Sequence, residues 1–157
     1  MTRGRIFLRY ALPLVLWLLV MALLSTEQLG ASFTYRVLSV VVQFFYAEVS
    51  VETLRWLHAG LRKSAHVVEY FIFAWLLWRA LRREAAERWR ASWAGLTLLV
   101  GAGTAVLDER HQAHTRGRTG SVLDVGWDAL GLLLALTWFY WRQQQESARG
   151  APAAESR

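Results

Sequence analysis

Four long apolar runs constrain this chain more than any other feature: Ile6 to Leu24, Ser64 to Leu81, Ala91 to Leu107 and Val122 to Trp141. Each holds 17 to 20 residues. A helix rises 1.5 Å per residue, so about 19 residues cover roughly 28 Å, close to the hydrocarbon thickness of a bilayer. No water at that depth satisfies a peptide group, and a helix closes its own hydrogen bonds. The expected fold class is an all-α membrane protein, a four-helix transmembrane bundle. Composition agrees: 55% of residues are hydrophobic and 19% charged, against about a quarter charged in a soluble domain. Cysteine is absent, which excludes a disulfide, a thiolate nucleophile and a Cys-ligated metal.

The formal net charge is +6, and Lys63 is the only lysine among 18 basic residues. Such a balance suits nucleic acid, an anionic membrane or acidic substrates, and the placement of the arginines decides. Arg3, Arg5 and Arg9 open the chain. Arg79, Arg82, Arg83, Arg88 and Arg90 lie between the second and third runs, and Arg142, Arg149 and Arg157 follow the fourth. By the positive-inside rule both termini are cytoplasmic, in the inner membrane of a cell. Trp78, Trp89, Trp93, Trp138 and Trp141 gather at the same ends as an aromatic belt. Arg3 and Arg5 before an apolar run also suit a signal peptide. The run is long for that purpose, and Ser25-Thr26-Glu27-Gln28 offers no clean cleavage site. It is read as a retained span.

The segment from Phe33 to Val49 is apolar but carries Arg36, Gln43 and Glu48. If it crossed, the five-arginine loop would lie outside. It is expected to be re-entrant or interfacial, followed by an amphipathic helix from Val51 to Arg62. The domain is therefore 1–142, with spans at about 6–24, 64–81, 91–107 and 122–141, and 143–157 is expected to be a disordered cytoplasmic tail.

This topology gathers the ionisable residues at the outer ends of three spans. Lys63, His66 and Glu69 enter the second. Asp108, Glu109, His111, Gln112 and His114 leave the third. Asp124 and Asp128 enter the fourth, after Arg116 and Arg118. Charge within a span costs about 2.5–3.5 kcal/mol and normally faces a partner or a wet cavity. At 100° per residue, Lys63, His66 and Tyr70 share a face. Asp124, Asp128, Gly131 and Ala135 form one stripe, and Ala94, Thr97, Gly101, Thr104 and Asp108 another. Packing these small stripes brings Asp108, Asp124 and Asp128 together, where they call for a cation, a proton or basic partners. Ser64 and Ser121 read as helix N-caps rather than nucleophiles, since no G-x-S-x-G elbow exists.

At Lys63-x-x-His66-x-x-Glu69-Tyr70, Asp108-Glu109-x-x-Gln112, Gly117-Arg118-x-x-Ser121 and Asp124-x-x-x-Asp128-x-x-Gly131, the sequence resembles the VanZ-like family of small bacterial polytopic membrane proteins. Trp17 and Ser25-Thr26 also resemble that family's first span and its exit, whereas Thr115-Arg116 depart from the small or proline residues often found before its Gly-Arg pair. The resemblance implies a cell-envelope protein whose polar motif is its working part. It also brings the glycopeptide (teicoplanin) resistance for which one member gave the family its name.

Three functional readings follow. The first is binding of a lipid-linked or peptidoglycan-related ligand at an extracytoplasmic site of Lys63, His66, Glu69, Tyr70, Asp108, Glu109, Gln112, Arg118, Asp124 and Asp128. Asp108 and Asp124 are then central anions, Lys63 and Arg118 hold an anionic ligand, and His66 carries a proton. The second is a membrane-embedded hydrolase or transferase of a lipid-linked substrate, with His66, Glu69, Asp108, Asp124 and Asp128 as catalytic candidates. A divalent metal could assist it, because His66 with Glu69, and His111 with His114, have i,i+3 spacing. These and the nearby carboxylates are ligand types for Zn²⁺, Mn²⁺ or Mg²⁺. The third is a structural or partner-binding subunit. Membrane lipid is an expected partner and nucleic acid is not, for lack of any nucleic-acid motif or soluble domain. The sequence does not address homo-oligomerisation.

Overall fold

The computed structural model describes residues 3–26, 31–46, 48–85, 89–113 and 122–150. The described elements are helical throughout. The first is built in three pieces: α1 (Arg3–Ile6), a π-helical segment (Phe7–Ala11) and α2 (Leu12–Leu24). Pro13 explains the break. Its ring would press on the carbonyl four residues back, and a local i→i+5 pattern relieves that clash. The Leu12 N–H accordingly donates to the Phe7 carbonyl.

Helix α3 (Ala31–Phe45) has 15 residues and rises about 22 Å. That is short of a bilayer core and favours the interfacial placement over a crossing. Phe33, Val37, Val40, Val41, Phe44 and Phe45 on it are exposed. It docks on α4 through Thr34, whose Oγ1 stands 2.9 Å from His58 Nε2, and through Tyr35, edge-on to the same imidazole at 5.4 Å.

The expected amphipathic helix and second span are one element, α4 (Val51–Arg82), of 32 residues. Nothing between Arg62 and Ser64 interrupts it: neither glycine nor proline stands there, and the hydrogen-bond ladder runs through. Its N-cap is Ser50, whose Oγ accepts from the Thr53 N–H at 3.1 Å. Ser64, expected to cap, lies in mid-helix instead. At the far end Arg83 takes φ 49°, and its N–H donates to the Arg79 carbonyl.

Three stretches are long and apolar enough to cross a bilayer unaided: Gly4–Leu24, Ala91–Ala113 and Val122–Arg149. Helix α4 has the length but not the apolarity. It is also the central helix, touching α2, α3, α5 (Ala91–Ala113) and α6 (Val122–Gly150). Leu54, His66, Tyr70, Phe73, Ala74, Leu76, Leu77 and Trp78 on it are buried. Only a helix facing lipid must be apolar all round, so its polar residues are tolerated behind its neighbours.

Met21, Tyr70, Phe73, Ala74, Leu77, Ala105, Leu132 and Ala135 form the core. The two small stripes do not simply pack on each other: Thr97 and Ala135 are all but completely buried, but Gly101 on α5 faces the Leu132 side chain and Gly131 on α6 faces α4. Gly131 marks the tightest approach. A Cβ there would lie 3.0 Å from the Phe71 nitrogen and 3.1 Å from Tyr70 Cβ.

Two expectations are corrected at the arginine-rich end. Trp78 is not part of a surface belt but is buried, stacked on Phe139 at 5.2 Å and packed against Trp89 and Trp93. Trp138 and Trp141 are exposed as a belt requires. Helix α6 also continues through Gln143, Gln144 and Gln145 to Gly150, where a disordered tail was expected. Glu146 pairs with Arg142 one turn away at 3.6 Å, and such i,i+4 pairs extend a helix past its apolar stretch. The remainder of that tail, 151–157, lies outside the described residues.

Candidate functional site

The polar residues meet at the end of the bundle where α4 and α6 approach over Gly131. His66 is buried on α4, and its Nδ1 donates to Asp128 Oδ1 on α6 at 2.8 Å. Asp128 is wholly buried, and its Oδ2 finds no hydrogen-bond partner among the described residues. One turn along α4, Tyr70 is also wholly buried, edge-on to Phe73 at 6.1 Å. Its hydroxyl is likewise unpartnered among the described residues. Buried polar atoms are nearly always satisfied by protein, water or a ligand, and Thr97 Oγ1, Arg82 Nε and Gln143 Oε1 elsewhere in the bundle are likewise unpartnered among the described residues.

Helix α5 brings Asp108, Glu109 and Gln112. The Gln112 amide donates to Asp108 Oδ2 at 2.8 Å, across one helical turn. Glu109 is buried, and it, rather than Asp108, closes on the histidine. One ligand atom from each of His66, Glu109 and Asp124 lies within 4.8 Å of the other two. Asp108 and Asp124 are both near enough to act electrostatically on Asp128, so the three stripes do converge. Glu69 and His111, candidates on i,i+3 spacing, are not in this tight group. The backbone carbonyl of Glu69 accepts from Trp17 Nε1 at 3.1 Å, which ties the first span to α4.

The cations fall differently from expectation. Lys63 is exposed, and its Nζ lies 5.6 Å over the Trp127 ring, away from the buried pair. Its neighbour Arg62 takes the inner position instead, 4.0 Å from Asp124. Arg62 is a site residue that the sequence reading above does not include. At 100° per residue Arg62 lies about 40° from His66 and about 80° from Tyr70, against about 60° and about 20° for Lys63, so the spacing along α4 does not by itself select Arg62. Arg116, Arg118, His114 and Ser121 lie outside the described residues.

Beside the cluster a cavity of about 280 Å³ opens between α2, α3, α4 and α5. Its lining mixes polar side chains, among them Arg62, His66, Glu69, Asp108 and Gln112, with apolar ones at Met21, Leu24 and Leu61. A smaller one of about 210 Å³ between α2 and α5 is lined by Tyr70, Asp108 and His111. The arrangement offers hydrogen-bond donors, acceptors and an imidazole next to apolar side chains, which suits an amphiphile's head group. No curated protein and no solved structure matches the chain. A protein-family model described as VanZ/LLP1 matches residues 9–143. That stretch takes in most of the first span, the whole polar cluster and most of α6, and the chain belongs to the VanZ/LLP1 family.

Proposed function

We propose that this membrane protein binds a lipid-linked or peptidoglycan-related envelope ligand in the cavity beside His66, on the extracytoplasmic side of the inner membrane. The observation that carries the reading is the mixed lining of that cavity, polar at Arg62, His66 and Asp108 and apolar at Met21, Leu24 and Leu61. A head group with an attached chain fits such a lining better than a fully soluble ligand does. The arginine counts support the side: with both termini cytoplasmic, the polar end faces outward. Glycopeptide resistance would follow only if the bound ligand is one that the drug also meets. A second reading, a membrane-embedded hydrolase or transferase, draws support from the His66–Asp128 pair, since a carboxylate-oriented imidazole is a common general base.

Native mass spectrometry of the protein released from its own membrane tests the proposal, run beside an Asp108→Ala, Asp124→Ala double variant. A lipid adduct on the wild type that is missing from the folded variant is the expected result. A bare wild-type protein, or adducts indifferent to the substitutions, would overturn it in favour of a structural or partner-binding role.

A further inference from the structure

Three helices each send one potential ligand to the same point: His66 from α4, Glu109 from α5 and Asp124 from α6, with ligand atoms within 4.8 Å of one another. An ion with bonds of about 2.1 Å holds tetrahedral ligands roughly 3.4 Å apart, so small side-chain rotations close this set around one. A cluster of this kind can be a plain charge network, and Arg62, 4.0 Å from Asp124, is a partner in that sense. Asp128 supplies the independent observation. It is wholly buried, grips His66 Nδ1 through Oδ1 at 2.8 Å, and keeps an Oδ2 with no hydrogen-bond partner among the described residues. A metal-bound histidine characteristically gives its second ring nitrogen to a carboxylate, which fixes the tautomer and turns the other nitrogen toward the ion. With Nδ1 held by Asp128, Nε2 is the nitrogen left to coordinate.

We infer that His66, Glu109 and Asp124 form a three-ligand site for a divalent cation of the zinc or manganese type, with Asp128 as the positioning residue for the imidazole. Mixed imidazole and carboxylate ligands suit those ions, and three protein ligands leave coordination free for an outside oxygen. A phosphate-type head group would then bind the ion directly; this last step rests on the ligand reading above.

The test uses the full chain in detergent, stripped with a chelator and titrated with Mn²⁺, with the electron paramagnetic resonance of free Mn²⁺ as the readout and Zn²⁺ as competitor. One saturable ion per chain is expected. Glu109→Gln and Asp124→Asn should each weaken it at least about tenfold. Asp128→Asn should weaken it by about 10–100-fold, whereas Glu146→Gln, at the other end of α6, should leave it unchanged. Wild type should also show imidazole nitrogen coupling to bound Mn²⁺ in pulsed spectra, a readout independent of whether any variant folds. Absence of saturable binding, absence of nitrogen coupling, or equal affinity in folded Glu109→Gln and Asp124→Asn would each overturn the inference. Metal binding without a lipid adduct would leave this site standing and remove the ligand reading. A lipid adduct on a chain that binds no metal would do the reverse.

Discussion

His66 Nδ1 and Asp128 Oδ1 stand 2.8 Å apart although 62 residues separate them in the chain. The aspartate is wholly buried and the histidine nearly so, so the pair joins α4 to α6 with the carboxylate shut off from water. Breaking a buried pair from one side leaves an uncompensated polar group and costs about 3–5 kcal/mol. Asp128→Ala should therefore lower the thermal midpoint in detergent sharply. His66→Ala combined with it should cost much less than the sum of the two single losses, because the interaction is lost only once. Additive losses in that double-mutant cycle would mean the two residues do not act as a pair.

The glycines give a graded test of packing. At Gly131 a methyl group would press on the backbone of α4 at Phe71, which cannot move alone. Gly131→Ala should cost about 1–3 kcal/mol. Gly101→Ala meets the Leu132 side chain, at both terminal methyls and Cγ, and no backbone atom among the nearest contacts, so adjustment of that leucine should make it milder. Gly126→Ala meets nothing within 4 Å and should be neutral, or stabilising by up to about 1 kcal/mol through helix propensity. Melting curves showing any other order would contradict the described α4–α6 contact.

Trp17 donates to the Glu69 carbonyl at 3.1 Å. Trp17→Phe keeps an aromatic body and removes that bond, for an expected loss of about 0.5–1.5 kcal/mol. The loss should appear as faster amide exchange around Glu69 and Phe73 on α4. Unchanged exchange there would indicate that the first span is held by apolar packing alone.

Helix α3 should respond to acid through His58. Burial first, and then the charge of Arg62, hold this imidazole below its ordinary value of 6.5, while a backbone hydrogen bond at Ala31 acts the other way. The docked state therefore binds fewer protons than the released one. Docking is at full strength above 6.5 and weakens as pH falls from there through the lowered value. Hydrogen exchange over Ala31–Phe45, corrected for intrinsic rate, should rise between roughly pH 7.5 and pH 5. His58→Gln should flatten that response. Protection that increases with acid would reverse the assigned sign.

The helical membrane class was legible because hydrophobic length is written directly into Gly4–Leu24, Ala91–Ala113 and Val122–Arg149. So was the gathering of polar residues at one end, since the order of ionisable side chains along successive spans follows from topology. The finer choices were not. Whether Arg62 or Lys63 turns inward is settled by a rotation of 100° about α4, and the apolar pattern of a helix buried on several sides does not fix its rotation to that accuracy. The continuity of α4 from Val51 to Arg82 was hidden for a related reason. Its middle is too polar to read as a span, and becomes tolerable only with α2, α5 and α6 packed round it.

Sequence alone determined which segments are helical and apolar, because both are local properties summed along the chain. Tertiary structure alone decided that Glu109 rather than Asp108 closes on His66, that Trp78 is core rather than belt, and that Asp128 has no access to solvent. Those outcomes depend on which residues of different helices share a few ångströms. The approach over Gly131 sets that distance, and no pattern within one helix contains it.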